Sequence, residues 1–107
     1  MSEVEIVQGD ANYLLTFTVY DADDNLVDLT GASTISLKYK KYGEDSVESI
    51  IGSIQGSPTL GVCQFNISTK FSTVASIGEY KAEIEIVYSS GQIITAPDIV
   101  IKVYSDL

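Results

Sequence analysis

Residues 79–86 read Glu-Tyr-Lys-Ala-Glu-Ile-Glu-Ile, so charged side chains alternate strictly with apolar or aromatic ones. A period of two residues is typical of a β-strand that turns one face to the core and the other to solvent. On the outward face, Glu83 and Glu85 are a pair of carboxylates, but their place in a charged strand face favours solvation over glycosidase chemistry. The predicted inward positions are Tyr80, Ala82, Ile84 and Ile86.

The same alternation returns in other segments, which polar clusters containing glycine or proline separate. The first of these segments places Tyr13 on its inward face. Only residues 68–77 have apolar side chains at helical spacing, with Ser68 in the place of an N-cap. The chain therefore predicts an all-β, immunoglobulin-like sandwich of about seven strands with at most one short helical turn. Besides residues 79–86, the predicted strands are 12–20, 34–39, 47–55, 62–67, 92–95 and 99–103.

At 107 residues the chain has the length of one domain, and we expect residues 1–107 to share a single core. Its residues are 45% hydrophobic and 20% charged, a balance that suits a packed globule better than a disordered chain. Six Lys and Arg against fifteen Asp and Glu give a formal charge of -9. Such a surface repels phosphate backbones and anionic lipids, so neither nucleic acid nor a membrane is an expected partner.

The residue types that common catalytic sites need are missing from the sequence. With no histidine, neither a Ser-His-Asp triad nor the usual zinc ligand sets can form, and no glycine-rich phosphate loop is present. Cys63 is the only cysteine, and its place in an alternating strand predicts a buried small hydrophobe rather than a reactive thiol. We therefore expect a protein that is not an enzyme, with no cofactor and no small-molecule substrate.

One acidic turn has part of the pattern of a calcium loop. Asp21, Asp23 and Asn25 have the one, three, five spacing of such a loop. Leu26 stands where the loop needs glycine, and Ala32 stands where a bidentate glutamate would close the cage. We interpret the segment as a solvated acidic turn and predict no metal site.

The seven tyrosines raise the alternative of a carbohydrate-binding platform, because aromatic faces stack on sugars. Tyr13, Tyr39, Tyr80 and Tyr104 fall at predicted core positions. The tyrosines left for the surface are Tyr20, Tyr42 and Tyr88, and three scattered rings make a weak platform.

Three pieces of the sequence resemble a known family. They are Gln-Gly-Asp at residues 8–10, Asn-Leu-Val-Asp-Leu-Thr-Gly-Ala at residues 25–32 and Gly-Glu-Tyr-Lys-Ala at residues 78–82. In this order they resemble the immunoglobulin-like domain at the N-terminus of phage baseplate upper proteins, over roughly residues 4–104. The resemblance implies a virion structural module that docks onto other phage proteins, and it supplies no catalytic residues.

Physical chemistry also explains why these residues stand at the matched positions. Asp28 provides a side-chain acceptor and Gly31 a residue able to adopt positive φ, which lets the chain cross between strands. Tyr80 stands at the start of a late strand, where a tyrosine corner would bond its hydroxyl to the preceding turn. The second cysteine of antibody domains is replaced by Ala82, so no antibody-type disulfide is expected.

The resemblance and the excluded chemistry together lead to an expected function. We expect a structural protein of a tailed bacteriophage virion, made in the bacterial host cytoplasm and oligomeric in the assembled particle, whose partners are other virion proteins. Members of the resembled family continue into stalk or receptor-binding regions, whereas this chain stops at Leu107 after its last strand. This favours a capsid decoration, connector, tail or baseplate adaptor. The alternative is an immunoglobulin-like module that binds a cell-surface glycan or protein.

The C-terminal strand is the candidate interface. It follows Pro97, which suits an edge strand, so unpaired backbone groups are expected along residues 99–104. Val100 is apolar on the face where Lys102 points outward. We therefore predict that Val100 and Lys102 contact a neighbouring subunit.

Overall fold

Two β-sheets pack face to face in the computed structural model, which describes residues 2–105. One sheet has five strands in the order β1-β8-β7-β3-β4, and the other has three in the order β2-β6-β5. This is the predicted all-β sandwich, and it is compatible with an immunoglobulin-like arrangement. Met1, Asp106 and Leu107, which belong to the predicted domain 1–107, lie outside the described residues. The strands are β1 (Ser2–Val7), β2 (Leu14–Thr18), β3 (Ala32–Lys41), β4 (Glu48–Ile51), β5 (Ser53–Ile54), β6 (Val62–Asn66), β7 (Gly78–Tyr88) and β8 (Ile93–Tyr104).

An aromatic cluster closes one end of the core between the sheets. The rings of Tyr39, Phe71 and Tyr80 lie with centroids 5.1 to 5.9 Å apart. The Tyr80 hydroxyl donates a hydrogen bond to the carbonyl oxygen of Ser76 at 2.7 Å, which is the bond to the preceding turn that the sequence predicts. This bond holds the turn against the start of β7.

The edge position predicted for the C-terminal strand is wrong. β1 pairs in parallel with β8, from Ser2 opposite Ile99 to Val7 opposite Tyr104, and β7 pairs with the other side of β8. Residues 99–104 therefore lie inside the sheet. The predicted strands omit β1 although Glu3 to Ile6 alternate in the same way as β7. Its partner β8 lies at the other end of the chain, and a parallel pair has no hairpin turn to indicate the pairing.

The sequence predicts that Pro97 divides the C-terminal region into two strands. It does not, because a β-bulge accommodates it. Ile84 of β7 pairs with Ala96 and Ala82 pairs with Ile99, so β8 has one extra residue here. Asp98 occupies this bulge with φ at +64°. β8 is consequently one strand of twelve residues that contains a bulge.

The irregularity expected in residues 47–55 is the place where the chain changes sheets. β4 belongs to the large sheet and β5 to the small one, and only Gly52 separates them. A Cβ atom at Gly52 would lie 2.5 Å from the ring of Phe65 and 2.8 Å from the carbonyl oxygen of Gln64. Only glycine therefore allows the crossing chain to lie directly on Phe65.

The helical content differs slightly from the prediction. Two three-residue 3-10 turns are present, at Pro58–Leu60 and Val74–Ser76, where at most one was expected. Ser68 is not a helix cap, because its φ of +51° places it in the left-handed region of a tight turn. The second turn follows Thr73 instead.

We predict that Tyr80→Phe lowers the free energy of unfolding by about 1–2 kcal/mol, because a buried carbonyl loses its hydrogen bond while the ring stays packed. Urea unfolding monitored by circular dichroism measures the change. Tyr42→Phe is the matched control, since Tyr42 is exposed. Equal stability of the two variants would contradict a structural role for the Tyr80 hydroxyl.

Gly52→Ala should cost about 1–3 kcal/mol, because its methyl group has to displace either the Phe65 ring or the backbone of β6. Thermal melting compares this variant with Ser49→Ala, an exposed change on the adjacent strand. A Gly52→Ala variant as stable as its control would show that the crossing tolerates a side chain.

Candidate docking surfaces

The outer face of the large sheet carries paired charges. Lys38 Nζ lies 3.0 Å from Glu85 Oε2, and Lys102 Nζ lies 3.5 Å from Glu3 Oε2 and 3.9 Å from Glu79 Oε1. The nearby Glu3 carboxylate raises the pKa of Lys102. This face therefore carries cross-strand ion pairs, which a docking partner would have to break or bury.

Val100 lies in the middle of this charged face. Its cross-strand neighbours are Glu3 on β1 and Lys81 on β7. Val100 is half-buried, and long side chains directly opposite in neighbouring strands are close enough to cover it. The apolar side chain at this position is thus explained within the sheet, and contact of Val100 and Lys102 with another subunit stays a prediction.

The outer face of the small sheet is different, because its strands contribute no charged side chain. Gln64 Nε2 donates a hydrogen bond to Thr16 Oγ1 at 3.1 Å across the middle of this face. Leu14 stands at one end of it and is half exposed. The outward residues, which we call the uncharged face, are Leu14, Thr16, Thr18, Ser53, Val62, Gln64 and Asn66.

The uncharged face comes from two stretches of sequence that lack charge altogether. Residues 11–20 and 49–69 contain no Asp, Glu, Lys or Arg, although the whole chain has 21 such residues and a net charge of -9. All three strands of the small sheet lie inside these stretches. The two charge-free stretches are visible in the sequence, but an analysis of apolar and polar alternation alone does not find them.

The crossing segment at Asp28 and Gly31 has the predicted geometry. Asp28 Oδ1 accepts hydrogen bonds from the Thr30 N–H at 2.9 Å and the Thr30 hydroxyl at 2.6 Å, and Gly31 has φ at +82°. These two bonds lower the pKa of Asp28 below its usual value. The Tyr88 hydroxyl donates to the Asp28 carbonyl oxygen at 2.6 Å, so Tyr88 is buried and its predicted exposure is wrong.

The acidic turn is organised by its own backbone. Asp21 Oδ1 accepts the N–H groups of both Asp23 and Asn25 at 2.9 Å. Within residues 2–105, no three acidic, histidine or cysteine side chains gather closely enough to hold a metal ion. Asp21 therefore works as a turn-forming acceptor.

Cys63 is fully buried on the inward face of β6, as predicted for a small core hydrophobe. It pairs across the sheet with Phe17 on β2 and Ile54 on β5. Burial raises the pKa of its thiol to about 12, so the thiolate needed for nucleophilic chemistry is suppressed at neutral pH.

The exposed tyrosines do not form an aromatic platform. Tyr20 and Tyr42 are exposed as predicted, whereas Tyr13 and Tyr104, predicted in the core, are about half exposed. Across the described part of the chain, every close ring pair lies in the core, and none joins two exposed tyrosines. The exposed rings are therefore separate features of the surface.

No known protein family matches this chain, and no curated protein sequence matches it either. Among residues 2–105 there is no helix with the length and apolar character needed to cross a membrane.

We predict that Thr30→Val raises the pKa of Asp28, because it removes the hydroxyl bond to the ionised carboxylate. Because the pKa of Asp28 is lower in the folded state, its carboxylate stabilises the fold at pH values above the unfolded pKa of 3.8. This stabilisation is lost as the pH falls through the folded-state pKa. The variant should therefore be destabilised at neutral pH and approach the parent in acid. NMR titration of the Asp28 side chain measures the shift, with Thr34→Val as control. An unchanged pKa of Asp28 in Thr30→Val would contradict the assignment.

Proposed function

We propose that the protein is a structural component of a tailed bacteriophage particle, docking onto neighbouring virion proteins through the uncharged face of its small sheet. It would serve as a capsid decoration, connector, or tail or baseplate adaptor subunit. The observation that carries the proposal is the absence of charge from all three strands of the small sheet in a chain of net charge -9.

Charge is costly at the centre of a protein interface, because each ion loses its hydration when the partner covers it. The uncharged face avoids this cost, since its polar groups are hydroxyls and amides that exchange one hydrogen bond for another. The ion-paired outer face of the large sheet lacks this advantage. Docking is therefore favoured on the small sheet.

The size of the face indicates how far the contact extends. β2 and β6 have five residues each and β5 has two. With strands about 4.8 Å apart and about 3.4 Å per residue, the patch measures at most roughly 15 by 17 Å. A stable interface covers about 800 Å² on each partner, which is several times larger. The contact would therefore include adjoining uncharged residues, among them the exposed Leu26 and Leu60 beside the start of β6.

The phage assignment rests on the resemblance to the N-terminal domain of baseplate upper proteins, and the non-catalytic role rests on chemistry. The chain has no histidine, and its only thiol is buried with a raised pKa. The alternative, a module that binds a cell-surface glycan or protein, gains no support from the separated tyrosines. Binding of the purified protein to host cells tests this alternative.

A phage encoding Thr16→Lys should assemble particles that contain several-fold less of this protein, because the lysine would be desolvated at the centre of the interface. Quantitative mass spectrometry of purified particles measures the copy number. Ser49→Lys is the matched control, since it adds the same charge at an exposed position on the large sheet. Val100→Lys tests the interface predicted from the sequence in parallel.

All three variants must melt like the parent, so that misfolding is not the cause of any loss. Normal incorporation of a folded Thr16→Lys protein would refute docking through the uncharged face. Saturable binding of the purified protein to host cells, with none of it in particles, would establish the alternative function.

A further inference from the structure

Half of the longest strand has an uncovered edge. β1 covers only residues 99–104 of β8, so Ile93 to Asp98 pair with β7 on one side and with no named strand on the other. The Gln92 carbonyl accepts the Tyr88 N–H, so Gln92 faces β7. Because backbone groups alternate sides along a strand, Ile94 and Ala96 also face β7. The N–H and C=O groups of Ile93 and Thr95 therefore point to the open edge.

Two adjoining clefts run beside this uncovered edge. The first, of about 250 Å³, is lined by Phe17, Val19 and Ala96 together with more polar residues. The second, of about 480 Å³, reaches Ile94 and Gln92 at the other end of the edge. Asp21 lines both clefts, so they adjoin there, and we call the two clefts together the groove.

The groove has a one-sided electrostatic character. Asp21, Asp24 and Asp98 line the first cleft, and Asp28 joins Asp21 in the second. Among the described residues that line the two clefts, none is a lysine or an arginine. An occupant with positive charge would therefore be attracted, and one with negative charge would be repelled.

We propose that this groove binds an extended segment of a partner protein as an added β-strand, with apolar side chains directed inward and basic side chains at the alternate positions. Ile93 and Thr95 supply the main-chain hydrogen bonds, and the apolar residues of the lining, such as Phe17, contact every second side chain. The four aspartates attract the basic side chains at the alternate positions of the added strand.

The bulge limits the length of the added strand. Pro97 has no N–H, and the extra residue at Asp98 interrupts the edge, so pairing is confined to residues 93–96. A segment of only a few residues is therefore sufficient. This proposal uses a surface other than the uncharged face and does not depend on the proposed virion role.

The probe is a capped peptide of alternating lysine and valine, six residues long, added to the intact protein. Amide hydrogen exchange followed by NMR should show slower exchange at Ile93 and Thr95, by about tenfold or more at saturation. The amides of Leu14, Thr16 and Thr18, on the open edge of β2, should be unaffected and serve as internal controls. A peptide with the same six residues in two blocks should protect Ile93 and Thr95 much less.

Asp24→Asn with Asp98→Asn should weaken binding of the alternating peptide by about threefold to tenfold, the effect of losing two surface charge contacts. Asparagine suits the positive φ of both positions. Asp10→Asn with Asp45→Asn removes the same net charge elsewhere and should leave binding unchanged. Unprotected Ile93 and Thr95, protection of the β2 edge instead, or equal weakening by both double variants would each overturn the proposal.

Discussion

The contact between the Phe65 ring and the bare backbone of Gly52 is the constraint on which both sheets depend. Gly52 is the one residue between β4 and β5, so the chain leaves the large sheet and enters the small one across the face of a buried ring. The pairing of β4 with β3 and of β5 with β6 has to agree with this crossing. Because Phe65 also packs edge-on against Phe17, the same contact aligns β2, and with it the uncharged face.

Local periodicity predicts the parts of the fold that local chemistry decides. The inward positions of β7 and the hydroxyl bond of Tyr80 follow from alternation and from a turn that precedes the strand. Glu3 to Ile6 in β1 alternate as well, but alternation does not give the pairing of β1, because its partner β8 lies at the other end of the sequence. Local periodicity also fails to predict the burial of Tyr88, because its partner, the Asp28 carbonyl, is sixty residues away.

The candidate surfaces were harder to predict than the fold. Val100 is an apolar residue on the face of Lys102, and only the strands that flank it on both sides explain its place there. The uncharged face was readable in principle from residues 11–20 and 49–69, yet only pairing shows that these stretches form one sheet. To predict the groove beside β8, one must also know the residue of β8 at which the pairing with β1 begins.

The parallel pairing of β1 with β8 also has a mechanical consequence. Ser2 lies at one end of the paired stretch and Tyr104 at the other, so a pull on these two residues in opposite directions acts along the strands. Backbone hydrogen bonds run across the strands, and such a load shears all six residue pairs at once instead of opening them one after another. Tension that enters through β1 and β8 is therefore resisted by all of these backbone bonds together.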